Sequence, residues 1–459
     1  MKATTRGLPL LFIFSALVLC SCSLRQRAAQ HHYQVGIKNF EAEHYAEALA
    51  EFSNAINKNP SFTDAYLYKG VTHYTISNYS LALADFDKVI ELDPSNVVAY
   101  ADRGLAKQAL HDYRDATNDF SNAINLDPYY GDAFKFRGVV RALFRDWQGA
   151  VEDFNEALKL NPQDSEIFRN RAGVQIIRKE LESGIADATR AIELNDKEAI
   201  SYRFRGLGRM QLKDYEGAIA DFDIAIELNP QDAESYAARG GVRLVEGKLE
   251  AAESDLAMAT RLDPKNLTAL VSFAFVKMKR GDLEGALSVF AKAAELGPQF
   301  PEIFLSMGHL QSDLHQDAPA LLNLRKALEL DPRMDYAHFR IWLIRSRLGE
   351  GDEATQELTE YIKTRKSEEW HEWQACIARF LVGDLTETNF LAQAIETARR
   401  PTERERQLCE AHYYAGMKRL LNGDKPGAVE LFEQCVASGQ DNREEYTSAV
   451  VELRELKKP

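Results

Sequence analysis

Residues 100–128 read YADRGLAKQALHDYRDATNDFSNAINLDP, and four positions in that stretch decide the fold. Gly104 is followed by Ala116, then by Phe120, then by Pro128, and the same set returns every 34 residues. Pro60, Pro94, Pro128, Pro162, Pro230, Pro264, Pro298 and Pro332 occupy one grid whose only gap is Asp196, so eight of the 14 prolines obey a single spacing. Each closes an Asn-Pro, Asp-Pro or Gly-Pro step. Proline cannot continue a helix and pushes its predecessor out of the helical region, so each marks a boundary between helices. A small residue recurs at Gly36, Gly70, Gly104, Gly138, Ala172, Gly206, Gly240, Ala274 and Gly308. A second follows at Ala48, Ala82, Ala116, Ala150, Gly184, Ala218, Ala252, Ala286 and Ala320. A large one comes next: Phe52, Phe86, Phe120, Phe154, Phe222 and Phe290, with Leu256 and Leu324 substituting and Ala188 as the exception. Small residues let two antiparallel helices, A and B, approach closely, and the large one fills the wedge between them.

Small, Ala, Phe and Pro at these offsets resemble the tetratricopeptide repeat (TPR) pattern. The resemblance covers nine regular units over residues 29–334 and implies an all-α, right-handed superhelical solenoid of helix-turn-helix units. Such units bury their apolar faces only against neighbours, so the ends need caps. Residues 335–400 read as divergent helix pairs, with Trp342 at the small position and Ala354 and Leu358 in register. Residues 401–459 read as a final TPR-like unit, its helix A opened by Cys409, followed by a C-terminal capping helix from Glu444 to Leu456 with a charged outer face.

Residues 1–21 read as a signal peptide. Lys2 and Arg6 precede a short apolar run from Leu8 to Leu19, too short to span a bilayer comfortably. Leu19-Cys20-Ser21-Cys22 resembles a bacterial lipobox. Bulky Leu19 fits badly before Cys20, so Cys22 is the expected lipidation site, 22–28 a tether, and Ser23 matches the sorting pattern for the outer membrane. Several acyl chains on one cysteine anchor a protein stably. Formal net charge is −14, and near −16 once Lys2 and Arg6 are removed (−14 − 2). That balance argues against nucleic acid as a partner, whose affinity comes mostly from Lys and Arg.

The residue before the mid-helix small position is basic in six consecutive units: Lys69, Arg103, Arg137, Arg171, Arg205 and Arg239. The same units carry Asp85, Asp119, Asp153, Asp187, Asp221 and Asp255 just before the wedge position. In the eighth unit both are gone together, leaving Phe273 and Val289, which predicts an ion ladder within or between units.

In the TPR family peptide partners lie along a concave groove lined by the A helices. There Lys135, Arg169 and Arg203 stack as a basic stripe beside Phe136, Asn170 and Phe204, the candidate peptide site. Asp132 and Glu166, three residues before Lys135 and Arg169, offer the competing reading of local neutralisation.

No catalytic, metal or cofactor signature is present. His371-Glu372-Trp373-Gln374-Ala375-Cys376 lacks the second His a zinc helix needs, and there is no Gly-rich phosphate loop or nucleophile elbow. The expectation is a non-enzymatic scaffold with no small-molecule substrate. Cys409 and Cys435 fall in one unit at helix ends that meet, as a disulfide or as buried free thiols.

Trp373, Leu381-x-Gly383, the run Cys409-Glu410-Ala411-His412-Tyr413-Tyr414-Ala415-Gly416, Gly423, Ala428, Phe432 and Glu445-Tyr446 together resemble the C-terminal region of the new lipoprotein I family. Those are outer-membrane TPR lipoproteins that act as adaptors for peptidoglycan-remodelling enzymes and a periplasmic protease. The resemblance implies an envelope scaffold facing the periplasm. The nine regular repeats ahead of that region depart from the family's small prototype, which leaves a pilotin-like assembly factor for a secretion or pilus system as the alternative.

Overall fold

The computed structural model describes residues 8–365, 371–440 and 444–458, with side chains described from residue 24 onward. The signal-peptide residues 1–7 and the side chain of Cys22 therefore lie outside the described part. The chain divides into two compact units, residues 1–228 and 229–459.

The first unit holds six antiparallel pairs: α1 (Leu8–Glu41) with α2 (Tyr45–Lys58), α3 (Thr63–Thr75) with α4 (Tyr79–Leu92), α5 (Val97–Ala109) with α6 (Tyr113–Leu126), α7 (Gly131–Leu143) with α8 (Trp147–Leu160), α9 (Ser165–Ile177) with α10 (Leu181–Leu194), and α11 (Ala199–Gln211) with α12 (Tyr215–Leu228). In the second unit α13 (Ala233–Val245) pairs with α14 (Leu249–Leu262), α15 (Leu267–Lys279) with α16 (Leu283–Leu296), α17 (Pro301–Asp313) with α18 (Asp317–Leu330), and α19 (Asp335–Arg347) with α20 (Gly351–Thr364). The second unit ends with α21 (Glu372–Val382), α22 (Glu387–Glu396), α23 (Pro401–Leu421), α24 (Lys425–Ala437) and α25 (Glu444–Leu456). The described residues contain helices and turns and no strand.

Two boundaries differ from expectation. Residues 22–28 are part of α1, because Leu24 to Ala29 is a run of good helix formers and Ala29 is fully buried. Helix α23 begins at Pro401 and not at Cys409; proline is tolerated at a first helical position, where no N–H is needed.

Each A helix passes to its B helix through a turn with one left-handed residue. At His111 (φ 62°) the chain reverses, His111 N–H donating to the Gln108 carbonyl (3.0 Å) and Asp112 N–H to that of Lys107 (2.9 Å). That pair of bonds satisfies the helix's last carbonyls. The Asp112 carboxylate then caps α6, accepting from Asp115 N–H. Seven of these turn residues are not glycine, Ser77, Arg145 and Lys179 among them.

Between A and B the expected wedge is present. A Cβ on Gly104 would stand 2.7 Å from the Phe120 ring, and the same holds for Gly138 against Phe154. Phe52, Phe86, Phe120, Phe154 and Phe222 are all fully buried. The unit with Ala188 inverts the arrangement. There Ile176 of helix A, where its neighbours carry Ala142 and Met210, reaches to within 2.7 Å of where a Gly184 Cβ would be. Ile176 thus fills from helix A the space left by the missing Cβ of Gly184. Ala172, Ala188 and Gly184 change together around it.

The basic–acidic ladder is formed in all six units. Lys69 Nζ lies 2.9 Å from Asp85, and Arg103, Arg137, Arg171, Arg205 and Arg239 each clasp their aspartate through Nε and Nη2 at 2.6–3.1 Å. It runs between units too, since Arg103 Nη1 reaches Asp87 and Arg137 Nη1 reaches Ser121 of the preceding unit. A second base shares the carboxylate: Lys107, Arg141, Arg209 and Arg243 stand 2.7–3.0 Å from Asp119, Asp153, Asp221 and Asp255. Five arginines also lie over the ring three residues earlier, as Arg137 does over Phe134 at 5.6 Å.

The C-terminal helix corrects a further expectation. Arg454 and Glu455 face outward as expected, but Glu445 and Glu452 do not: with Ser448 and Ala449 they are buried. Arg340, wholly enclosed, donates to Asp313 (3.2 Å), Tyr413 (2.7 Å) and Ser448 (3.0 Å). Ser448 donates in turn to Asp313 (2.7 Å), Tyr414 bonds Glu445 (3.3 Å), and Glu444 meets Ser306 and His309. Helix α25 lies against the A helices α17, α19 and α23 of its own unit.

Candidate functional site

Three rows run across the A helices of the first unit, each advancing by one repeat. The first is Phe136, Asn170 and Phe204; the second Val139, Gly173 and Leu207; the third Leu143 and Ile177. Between α7, α9 and α11 these rows, Phe136 excepted, enclose an open hollow of about 420 Å3, closed from below by Trp147, Phe154 and Val174. Its walls are overwhelmingly apolar. Leu143 and Ile177 leave 53% and 58% of their surface exposed, large values for such side chains, and Phe144 beside them leaves 60%.

Gly173 shapes the hollow. A Cβ there would sit 2.9 Å from Phe204 Cζ, so the bare backbone of α9 is what lets the Phe204 ring lean across it. Val139 and Leu207, in the same row, carry the side chains that form the walls on either side.

Of the six residues singled out from the sequence, the structure brings Asn170 and Phe204 into the hollow. Phe136 packs beneath, against Phe120 at 5.8 Å between ring centres. The basic stripe is already engaged. Lys135 Nζ stands 3.0 Å from Asp164, 3.3 Å from Glu166 and 3.3 Å from Asp132. Burial opposes its charge, but the bond to Asp164 and the three carboxylates outweigh that and hold its pKa above the ordinary lysine value. Arg169 pairs with Glu198, and its Nε and Nη2 both donate to Asn170 Oδ1 at 3.2 Å. The Arg203 guanidinium lies over the Phe204 ring at 5.8 Å. Lys135 and Arg169 therefore tie each A helix to acids at the start of the next, and the surface left open is apolar.

Sequence reasoning weighed Val139 and Gly173 only as residues standing where a carboxylate clamp wants Asn, and passed over Leu143, Trp147, Ile177 and Leu207. Their signal was apolarity at solvent-facing positions: the row of Leu143 and Ile177 carries Thr75, Gln211, Lys279 and Asp313 in other repeats. Among the described residues no group of three His, Cys, Asp or Glu is placed to hold a metal ion, and no helix is long and apolar enough to cross a membrane.

A tetratricopeptide-repeat family model matches residues 39–97, 101–165 and 205–266. Among solved structures the chain is similar to YrrB, described as a TPR protein with an unusual peptide-binding site, at 23% identity over 41% of this chain and 97% of that one, with a TM-score of 0.36. PilF of Pseudomonas aeruginosa aligns at 20% identity over 45% and 94%, with a TM-score of 0.41. The P58(IPK) TPR domain aligns at 18% over 86% and 98%, with a TM-score of 0.33. No curated protein sequence matches the chain.

Proposed function

From a chain built of tetratricopeptide repeats, we propose a scaffold that binds a segment of another protein in the hollow between α7, α9 and α11. The carrying observation is the run of exposed apolar side chains there, Leu143, Phe144 and Ile177, beside a hollow lined by Phe204 and Gly173. Exposed apolar area of this kind is what protein partners cover. The neighbouring cations are spent on intramolecular acids, so apolar burial and not charge supplies the affinity.

The lipobox-like Leu19-Cys20-Ser21-Cys22 supports an anchor at acylated Cys22, and the resemblance at 409–416 supports an envelope setting, as an adaptor for peptidoglycan-remodelling enzymes or proteases at the outer membrane. The test is affinity capture from detergent-solubilised envelope, comparing the native chain with Leu143→Glu/Ile177→Glu and with a triple charge reversal at Lys135, Arg169 and Arg203. Loss of a specific partner with the apolar variant is expected; an unchanged set of partners refutes the hollow as the site. Cys22→Ser is expected to release the protein from membranes, and retention there refutes the anchor.

A further inference from the structure

The protein holds one α-helix on an A-helix face already. Helix α25 crosses α17 and α19 at Ser306, His309, Asp313, Arg340 and Arg347. Each of these lies a whole number of 34-residue repeats from a position of the open hollow: Ser306 and Arg340 from Asn170 and Phe204, His309 from Gly173 and Leu207, Asp313 and Arg347 from Ile177 and Leu143. The two sites are one register of the same repeat, the second covered by a helix and the first left open by the described residues.

Size agrees with the match. Adjacent packed helices stand about 8–10 Å apart, so three in a row present about 20 Å. A helix of 13 residues is about 20 Å long, and α25 has 13. Where α25 comes closest it is small, with Ser448 at 1% and Ala449 at 0% exposure. Chemistry then separates the two sites. The rows under α25 are polar except at Leu343, and α25 answers with Glu444, Ser448 and Glu452, spaced at i, i+4 and i+8. The rows of the hollow are Phe204, Leu207, Val139, Leu143 and Ile177, with no charge among them.

Resting on the scaffold reading above, we propose that the hollow takes its partner's segment as an amphipathic α-helix. The bound helix has small residues at its closest approach, over Gly173, and leucine-like residues at i+3, i+4 and i+7 that enter beside Phe204, Leu143 and Ile177. It lies across α7, α9 and α11 as α25 lies across α17, α19 and α23.

Two synthetic peptides of equal length and leucine content test this on the full-length protein. One carries leucines at helical spacing around a central Ala-Ser; the other carries the same leucines at every second position, with a proline to hold it extended. Binding is read from Trp147, which lines the hollow, and helix gain from the difference in circular dichroism. The helical peptide is expected to bind at least tenfold more tightly than the extended one, and to lose at least tenfold on Ile177→Glu, an exposed position whose change spares the core. Equal or tighter binding of the extended peptide, itself lost on Ile177→Glu, overturns the helix and leaves the scaffold reading standing. No binding of either peptide, or binding indifferent to Ile177→Glu, overturns the helix as well. Partner capture with the Leu143→Glu/Ile177→Glu variant then decides the scaffold reading separately.

Discussion

Replacing Asp153 with valine tests the ladder, because the chain has made the same exchange in its eighth repeat, where Phe273 and Val289 stand for base and acid. The Asp153 side chain is 3% exposed and is gripped by Arg137 at 2.9 and 2.7 Å and by Arg141 at 3.0 Å. Asp153→Val alone strands two guanidiniums. Removing one partner of a buried pair costs about 3–5 kcal/mol. Arg137 and Arg141 keep 15% and 27% of their side-chain surface in water, and Arg141 keeps the Gly149 carbonyl at 3.1 Å, so the lower end applies, about 3 kcal/mol. Adding Arg137→Phe removes the more buried of the two stranded charges, leaves Arg141 to Asp146 and the Gly149 carbonyl, and restores apolar contact, as Phe273 packs against Leu256 and Val276. The double variant is expected within about 1 kcal/mol of the native chain, a coupling of about 2 kcal/mol plus the cost of Arg137→Phe alone, which completes the cycle. Repeat arrays unfold in parts, so amide hydrogen exchange across α7 and α8 is the assay, with urea unfolding as support. A single variant within about 0.5 kcal/mol of native, or a double variant as weak as the single, refutes the claim that the ladder works as coupled pairs.

Three further outcomes are expected. Cys409 and Cys435 are buried with their sulfurs 3.0 Å apart, so an oxidising thiol–disulfide buffer is expected to close them into a bond worth about 3 kcal/mol, seen as loss of both thiols to alkylation; persistence of both refutes it. Burial lifts Asp313 from 3.8 to about 6 against the opposing pull of Arg340 and Ser448. A raised carboxyl stabilises the fold below its unfolded pKa and loses that contribution as pH rises through its folded one. The native chain is therefore expected to gain about 2–3 kcal/mol on Asp313→Asn between pH 7 and pH 4, measured by thermal or urea unfolding; a flat difference refutes it. Gly281 turns between α15 and α16 at φ +81°, so Gly281→Ala is expected to cost about 1 kcal/mol in urea unfolding although a Cβ there meets nothing within 4 Å; no loss refutes the strain.

Much of the fold was legible because its determinants repeat. Gly104 with Phe120, and Arg103 with Asp119, are separated by a fixed 16 residues within one hairpin, so the pattern names both contact partners. The hollow was half legible. A stack of like charges at Lys135, Arg169 and Arg203 suggested a ligand, but Asp164 and Glu198, which neutralise the first two, sit at the starts of the following A helices and off that row. The role of α25 was hidden for a different reason. Ser306 meets Glu444 across 138 residues and Asp313 meets Ser448 across 135, distances that no repeat spacing encodes. The helix read as a cap with all its charge on the outer face because the partners of Glu445, Ser448 and Glu452 lie so far away in sequence.

The exchange of volume around Ile176 bears on how this protein can be recombined. Repeats that share one wedge are interchangeable parts: residues 97–130 could be copied over 131–164 with Phe120 landing where Phe154 stood. The unit with Ala188 is not such a part. Restoring alanine at 184 alone drives a Cβ to within 2.7 Å of Ile176, and shortening Ile176 alone leaves a void above Gly184. Substitutions there are tolerated only as a block, which makes that repeat a keyed joint in an otherwise modular chain. A shuffled or consensus version of the array is expected to fail first there, next to the hollow between α7, α9 and α11.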